Sequence, residues 1–168
     1  MSTETSSMIL VYTDGACLGN PGPGGYAALV LTGGAERIIS GGDPCTTNNK
    51  MEMTAAIQAL QALPVGSHVT VHSDSQYLVK GITEWLPTWK RRGWRTGDKK
   101  PVLNQPLWEH LEGLVAERTV TWSWVRGHAG HEENERVDGV ANAEAEKARD
   151  DNSSRRSRAD IGQGARLA

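Results

Sequence analysis

A mixed β-sheet flanked by helices, in the α/β class, is what the sequence predicts, and three observations carry that prediction. The first 40 residues hold three short apolar, β-branched runs separated by glycine-rich turns, the pattern of an antiparallel meander. Beyond them, strand-like and helix-like patterns alternate, as crossover connections between parallel strands require. The chain has 168 residues, 38% hydrophobic and 23% charged, which suits one globular core.

Residues 8–13 form the first strand, which ends at the turn signal Asp14-Gly15. A turn-rich loop covers 19–25, and residues 26–32 and 36–40 are the second and third strands, joined by the hairpin turn Gly33-Gly34. Thr46-Thr47-Asn48-Asn49 carries helix-start signals, and Met53, Ala56, Ile57 and Leu60 then recur at helical spacing. Pro64 and Gly66 stop that helix. The fourth strand, 69–73, completes a strand–helix–strand unit, which suggests parallel pairing with the first.

Asp74-Ser75-Gln76 opens a second helix that runs to about residue 86. A basic, Trp-rich stretch follows, then a helix over 107–116 with Pro106 in its first turn. Residues 120–125 are the fifth strand and 126–131 a loop. The last helix, 132–149, has Val137, Val140, Ala141, Ala145 and Ala148 as its buried stripe. Residues 1–7 and the polar stretch 150–168, with Arg155-Arg156-Ser157-Arg158, are expected to be disordered, leaving 8–149 as the folded domain.

The formal net charge is −2, from 18 Lys plus Arg against 20 Asp plus Glu, so the total does not point to nucleic acid. The distribution is uneven. Residues 85–100 hold six cations (Lys90, Arg91, Arg92, Arg95, Lys99, Lys100) against Asp98, a local balance of +5, with Trp85, Trp89 and Trp94 interleaved. No apolar run exceeds residues 26–31, far short of the roughly 20 that span a bilayer. The N-terminus carries Glu4, no cation and no long apolar stretch, which argues against a signal peptide. Cys17 and Cys45 fit neither a zinc pattern nor a disulfide framework and read as reduced thiols of a cytoplasmic protein.

Four carboxylates fall at telling places. Asp14 and Asp74 end strands 1 and 4, Glu52 is in the first turns of the first helix, and Asp138 is in the last helix. Sites in α/β sheets form outside the carboxyl ends of parallel strands, and a carboxylate cluster there suits a hard divalent cation. Each acid also has a purely structural reading. Asp14-Gly15 is an ordinary turn, Asp74 is a good N-cap, Asn49 with Glu52 approximates a capping box, and Asp138 is a solvated helix residue. Spacing by itself does not bring Asp138 to the other three. His128 and His131, in a glycine-flanked loop without nearby Cys, fit a proton carrier better than a zinc site.

Taken in order, these motifs resemble the bacterial type 1 ribonucleases H, over residues 8–149. The resemblance rests on Tyr12-Thr13-Asp14-Gly15, Leu18-Gly19-Asn20-Pro21-Gly22-Pro23-Gly24-Gly25-Tyr26 and Thr46-Thr47-Asn48-Asn49-Lys50-Met51-Glu52. It continues through Ser73-Asp74-Ser75-Gln76-Tyr77, Gly81-Ile82-Thr83 with Trp85, Lys90-Arg91-Arg92-Gly93-Trp94, Val125-Arg126-Gly127-His128-Ala129-Gly130-His131 and Asn134-Glu135-Arg136-Val137-Asp138. It implies a ribonuclease H-like fold with strands 1 to 3 antiparallel and strands 4 and 5 parallel to strand 1. It implies an endonuclease that hydrolyses the RNA strand of an RNA–DNA hybrid and leaves 3′-hydroxyl and 5′-phosphate ends.

In the same resemblance, Asp14, Glu52, Asp74 and Asp138 are metal-binding carboxylates and His128 a loop histidine that moves protons or assists product release. Two Mg²⁺ are implied, with Mn²⁺ as a substitute; such a pair activates water on one side and stabilises the leaving oxygen on the other. Asn20, Asn48, Asn49 and Gln76 match minor-groove contacts, and Thr47 a contact to a DNA phosphate. Trp85, Lys90, Arg91 and Arg92 belong to a basic handle that grips the DNA strand, while Trp89 and Trp94 read as buried stems. Gly139, directly after Asp138, departs from the family pattern and is a poor helix former. A monomer is expected. The competing readings are a catalytically silent hybrid-binding module, whose mark is a lost carboxylate, and a DNA nuclease on the same fold.

Overall fold

A computed structural model describes residues 8–126 and 132–167. Five strands form one mixed sheet in the order β3-β2-β1-β4-β5. β1 (Ile9–Cys17), β2 (Gly22–Thr32) and β3 (Ala35–Thr46) are the antiparallel meander, and β4 (His68–Ser73) and β5 (Thr119–Trp124) run parallel to β1. Gly33 and Gly34 both take positive φ, 48° and 90°, as a two-residue turn that matches strand twist requires. The helices are α1 (Asn48–Gln61), α2 (Gln76–Lys80), α3 (Leu86–Arg91), α4 (Gln105–Ala116) and α5 (Glu132–Leu167).

Alternation along the strands divides the core in two. Ala28 and Val30 of β2 join Val11, Val69 and Val71 against α1 and α4, where Met53, Ala56, Ile57, Leu60, Trp108 and Leu111 are buried. Ala27 and Leu29 point the other way and meet Val137, Ala141 and Ala145 of α5. The α5 stripe is therefore as expected at those three positions, while Val140 and Ala148 are only half-buried.

Several boundaries differ from the sequence expectation. β1 does not stop at Asp14-Gly15; it continues to Cys17, paired with β2 through Asp14↔Ala27 and Cys17↔Gly24. Gly15 serves close packing rather than a turn, because a Cβ there would lie 2.5 Å from the Glu52 amide nitrogen of α1. β2 and β3 likewise extend through the glycine-rich segments, with an irregularity between Gly22 and Gly24. The second helix is interrupted by a π-helical turn, Gly81–Trp85, where the Trp108 indole leaves no room for a side chain at Gly81.

The helical backbone of α5 continues to Leu167, past the end expected at 149. Residues 150–160 contain neither Gly nor Pro, so nothing in them breaks a helix already packed on the sheet. Asn152 ties this continuation to β3 through a 3.0 Å bond from Nδ2 to the Pro44 carbonyl. The expectation for residues 1–7 lies outside the described residues.

Candidate active site

The parallel ladder of β1 and β4 ends at Thr13↔Ser73, so Asp14 and Asp74 are the next residues on two adjacent strands. They are neighbours for the reason parallel pairing suggested, although β1 itself goes on. Their shared end of the sheet is met by α1, which the bare edge of Gly15 admits at close range. Glu52 reaches the same point. One ligand oxygen from each of Asp14, Glu52 and Asp74 lies within 4.8 Å of the others.

The structural readings of these acids are displaced by other residues. Thr47 is the N-cap of α1, its side chain accepting from Lys50 N at 3.2 Å, so Glu52 is not half of a capping box with Asn49. Ser75, not Asp74, caps α2, with Oγ accepting from Leu78 N at 3.1 Å. Both carboxylates are thereby available to the pocket. Asp138 comes to Asp14 from α5, and the two side chains share a hydrogen bond. Asn142, one turn on, donates Nδ2 to the Asp138 carbonyl at 2.9 Å and to its Oδ1 at 3.3 Å, fixing that side chain.

Burial and like charge act together on the cluster. Asp14 is pushed up to about 8, first by burial, then by the charge of Asp74 and by the hydrogen bond and charge of Asp138, against which the Gly15 amide works at 2.9 Å. Glu52 is also raised, chiefly by burial and then by Asp14 and Asp74. Its Oε1 is buried with no hydrogen-bond partner. A buried carboxylate oxygen left without a donor, among other carboxylates, fits a divalent cation, which supplies the missing positive partner to hard oxygen ligands.

Most of the expected substrate-contacting residues are at the surface, and Thr47, the N-cap of α1, is half-buried. Asn20, Asn48, Asn49 and Gln76 are exposed, and Asn20 Oδ1 accepts from the Asn48 amide at 3.0 Å, joining the loop after β1 to the start of α1. Trp85 is exposed and packs edge-on against Tyr77 and tilted against Trp89. Trp89 and Trp94, expected as buried stems, pack against the main core but are only partly buried. Arg91 and Arg92 are exposed, but Lys90 is held by Glu112 at 2.7 Å. His128 and His131 lie outside the described residues.

Two contributors carried no sequence signal. Trp124 at the end of β5 donates its indole N–H to the Asp74 carbonyl at 3.1 Å. Tyr77 Oη accepts from both Asn104 Nδ2 (3.1 Å) and Trp108 Nε1 (3.3 Å), bracing the aromatic cluster under Trp85. Neither contact follows from spacing, because each joins elements far apart in the chain.

The fold is that of a known family. The family model described as RNase H matches residues 6–146. The chain is 58% identical over 145 residues to a ribonuclease H of Thiobacillus denitrificans, covering 86% of this chain and 98% of that protein. It is 59% identical over 140 residues to a ribonuclease H of Halorhodospira halophila, covering 83% and 94% respectively. Among solved structures it resembles LC9-RNase H1, a type 1 RNase H with the type 2 active-site motif, with a TM-score of 0.76 and 35% identity over 88% of this chain and 76% of that one. It also resembles LC11-RNase H1 in complex with RNA/DNA hybrid, with a TM-score of 0.63 and 27% identity over 83% and 98%. This chain belongs to the RNase H family, in its bacterial form.

Proposed function

We propose that this protein is a ribonuclease H: a metal-dependent endonuclease that hydrolyses the RNA strand of RNA–DNA hybrids, leaving 3′-hydroxyl and 5′-phosphate ends. The observation that carries the reading is the convergence of Asp14, Glu52 and Asp74 within 4.8 Å, with the Glu52 oxygen left unpartnered, in a chain of this family. All the carboxylates are retained, which favours an active enzyme over a silent binding module.

Asp14, Glu52 and Asp74, with Asp138 beside them, would hold the cations; Mg²⁺ is the ion proposed, two of them, with Mn²⁺ as a substitute. Bound there, such ions lower the pKa of water and neutralise charge on the leaving oxygen. The chain itself supplies orientation. Asp14 and Glu52 come from a strand and a helix in close contact, so their carboxylates are preorganised rather than assembled by substrate. Asn142 orients Asp138 in the same sense. His128 is assigned the proton-transfer or product-release role.

Asn20, Asn48, Asn49 and Gln76 would meet the minor groove, where amides serve base edges and 2′-hydroxyls without demanding one sequence. Thr47, at the start of α1, would meet a DNA phosphate. Trp85 with Arg91 and Arg92 would engage the DNA strand from the handle, where deoxyribose leaves room for the indole. In this reading the enzyme acts as a cytoplasmic monomer. Its two thiols, Cys17 and Cys45, are unpaired, and no helix among the described residues is long and apolar enough to cross a membrane.

The test is cleavage of a labelled RNA–DNA hybrid with and without Mg²⁺, beside single-stranded RNA, RNA duplex and DNA duplex. Mg²⁺-dependent cutting confined to the RNA of the hybrid is the expected result. Hybrid binding without cutting would mark a silent module, and DNA cleavage would place the substrate elsewhere.

A further inference from the structure

We propose that Trp124 is a positioning residue for the acidic pocket: its indole N–H holds the main-chain carbonyl of Asp74 and so fixes where the Asp74 carboxylate stands. The inference rests on the metal-dependent reading above. Trp124 is the last residue of β5 and lies opposite Ser73 in the parallel ladder. From there its Nε1–H donates to Asp74 O at 3.1 Å.

The pocket needs such a restraint. Asp14 is carried by a strand and Glu52 by a helix, but Asp74 stands in the short connection between β4 and α2. Ligand atoms gathered within 4.8 Å repel one another when ionised, so where each carboxylate stands depends on how its backbone is held. Three donors pin the connection. The Ser75 amide binds Ser73 Oγ at 3.0 Å, the Val125 amide binds the Ser73 carbonyl at 2.9 Å, and Trp124 acts on Asp74 itself.

Burial by itself does not require an indole at this position rather than another aromatic ring. Trp124 remains 42% exposed, whereas Trp122, two residues earlier, packs against the main core. With much of its surface in water the ring forgoes part of the gain that full burial brings, and the N–H contact is one that a purely apolar ring could not supply. The exposed side chain is therefore a tether from β5 to the metal-facing turn.

The test is Mg²⁺ binding to the intact protein by titration calorimetry, with kcat and KM measured on a labelled hybrid. Trp124→Phe removes the donor, and replacement of Trp124 by 3-benzothienylalanine removes it with ring shape kept. Losing one such hydrogen bond is expected to weaken Mg²⁺ binding about three- to tenfold. In both proteins kcat should fall at low Mg²⁺ and recover at high Mg²⁺, with the KM for hybrid unchanged. Trp122→Phe should lower the melting temperature and leave Mg²⁺ affinity alone. Wild-type Mg²⁺ affinity in the benzothienyl protein overturns the proposal, and so does a change confined to hybrid KM, which would make the ring a substrate contact. Failure of the wild-type protein to bind Mg²⁺ overturns the metal-dependent reading as well, and is distinguished by appearing before any substitution is made.

Discussion

Asp14 and Asp138 meet side chain to side chain, one from within β1 and the other from near the start of α5. Burial first, then the charge of Asp74 and this side-chain contact, push Asp14 up to about 8. Ionising the metal-free pocket works against burial and against the neighbouring carboxylates, and much of its behaviour follows from what offsets that cost.

Stability of the metal-free protein should fall as pH rises. An acid whose folded pKa is about 8 and whose ordinary value is 3.8 holds its proton in the folded state while the unfolded chain has lost it. The stabilisation is full below about pH 4 and is lost as pH climbs through about 8. Melting temperatures taken without divalent ions should decline across pH 5–8.5, apart from other titrating groups, and the decline should flatten in Asp14→Asn. An unchanged slope in that variant would remove Asp14 as its source.

Mg²⁺ should bind with release of protons. Displacing one proton from Asp14 makes apparent affinity rise by up to about tenfold per pH unit below pH 8 and level off above it. Calorimetry in buffers of different ionisation enthalpy counts the protons directly. A pH-independent affinity would mean that the cation does not engage Asp14.

Asp14→Asn and Asp74→Asn should separate function from stability. Asp74→Asn takes a carboxylate out of the crowded set and Asp14→Asn replaces a group that burial already disfavours ionising, so cleavage should fall by about a hundredfold or more while the metal-free protein melts no lower than wild type. Paired cleavage and melting measurements check this. Loss of stability together with activity would instead mark these acids as structural.

The handle should bind by charge, and unequally. Arg91→Ala and Arg92→Ala should each reduce the slope of log affinity against log salt for hybrid binding by up to about 1, uniformly over sequences. Lys90→Ala should change it less, because Glu112 already engages that ammonium at 2.7 Å. Equal effects at the three positions would show the ion pair to open on binding.

Gly139→Ala should stabilise the protein. Gly139 is exposed inside α5, and a Cβ there meets nothing within 4 Å. Replacing it should add about 0.5–1 kcal/mol, a few degrees in melting temperature. No gain on thermal unfolding would mean that the helix is already relaxed around the glycine.

Much of this was legible in the chain, because helix and strand periodicity are local. Met53, Ala56, Ile57 and Leu60 declared the buried face of α1, and the strand–helix–strand order suggested that β1 and β4 are parallel neighbours. From that pairing Asp14 and Asp74 had to lie side by side. Capping was less legible, since Thr47, Asn49, Asp74 and Ser75 are all competent caps and only the path of each turn selects one. Gly15 misled for a related reason: a glycine that opens a turn and one that admits a helix look alike in sequence.

Sequence alone determined the elements, their order and the acids available to a site, because each depends on residues a few positions apart. Tertiary packing decided which acids meet and what holds them. Asp138 reaches Asp14 because α5 lies tight on β2, where a Cβ on Gly25 would collide with the backbone of Ala141 and Ala145. Trp124 reaches Asp74 only because β5 sits in register beside β4. Such contacts are set by how whole faces fit together, and no local pattern encodes them.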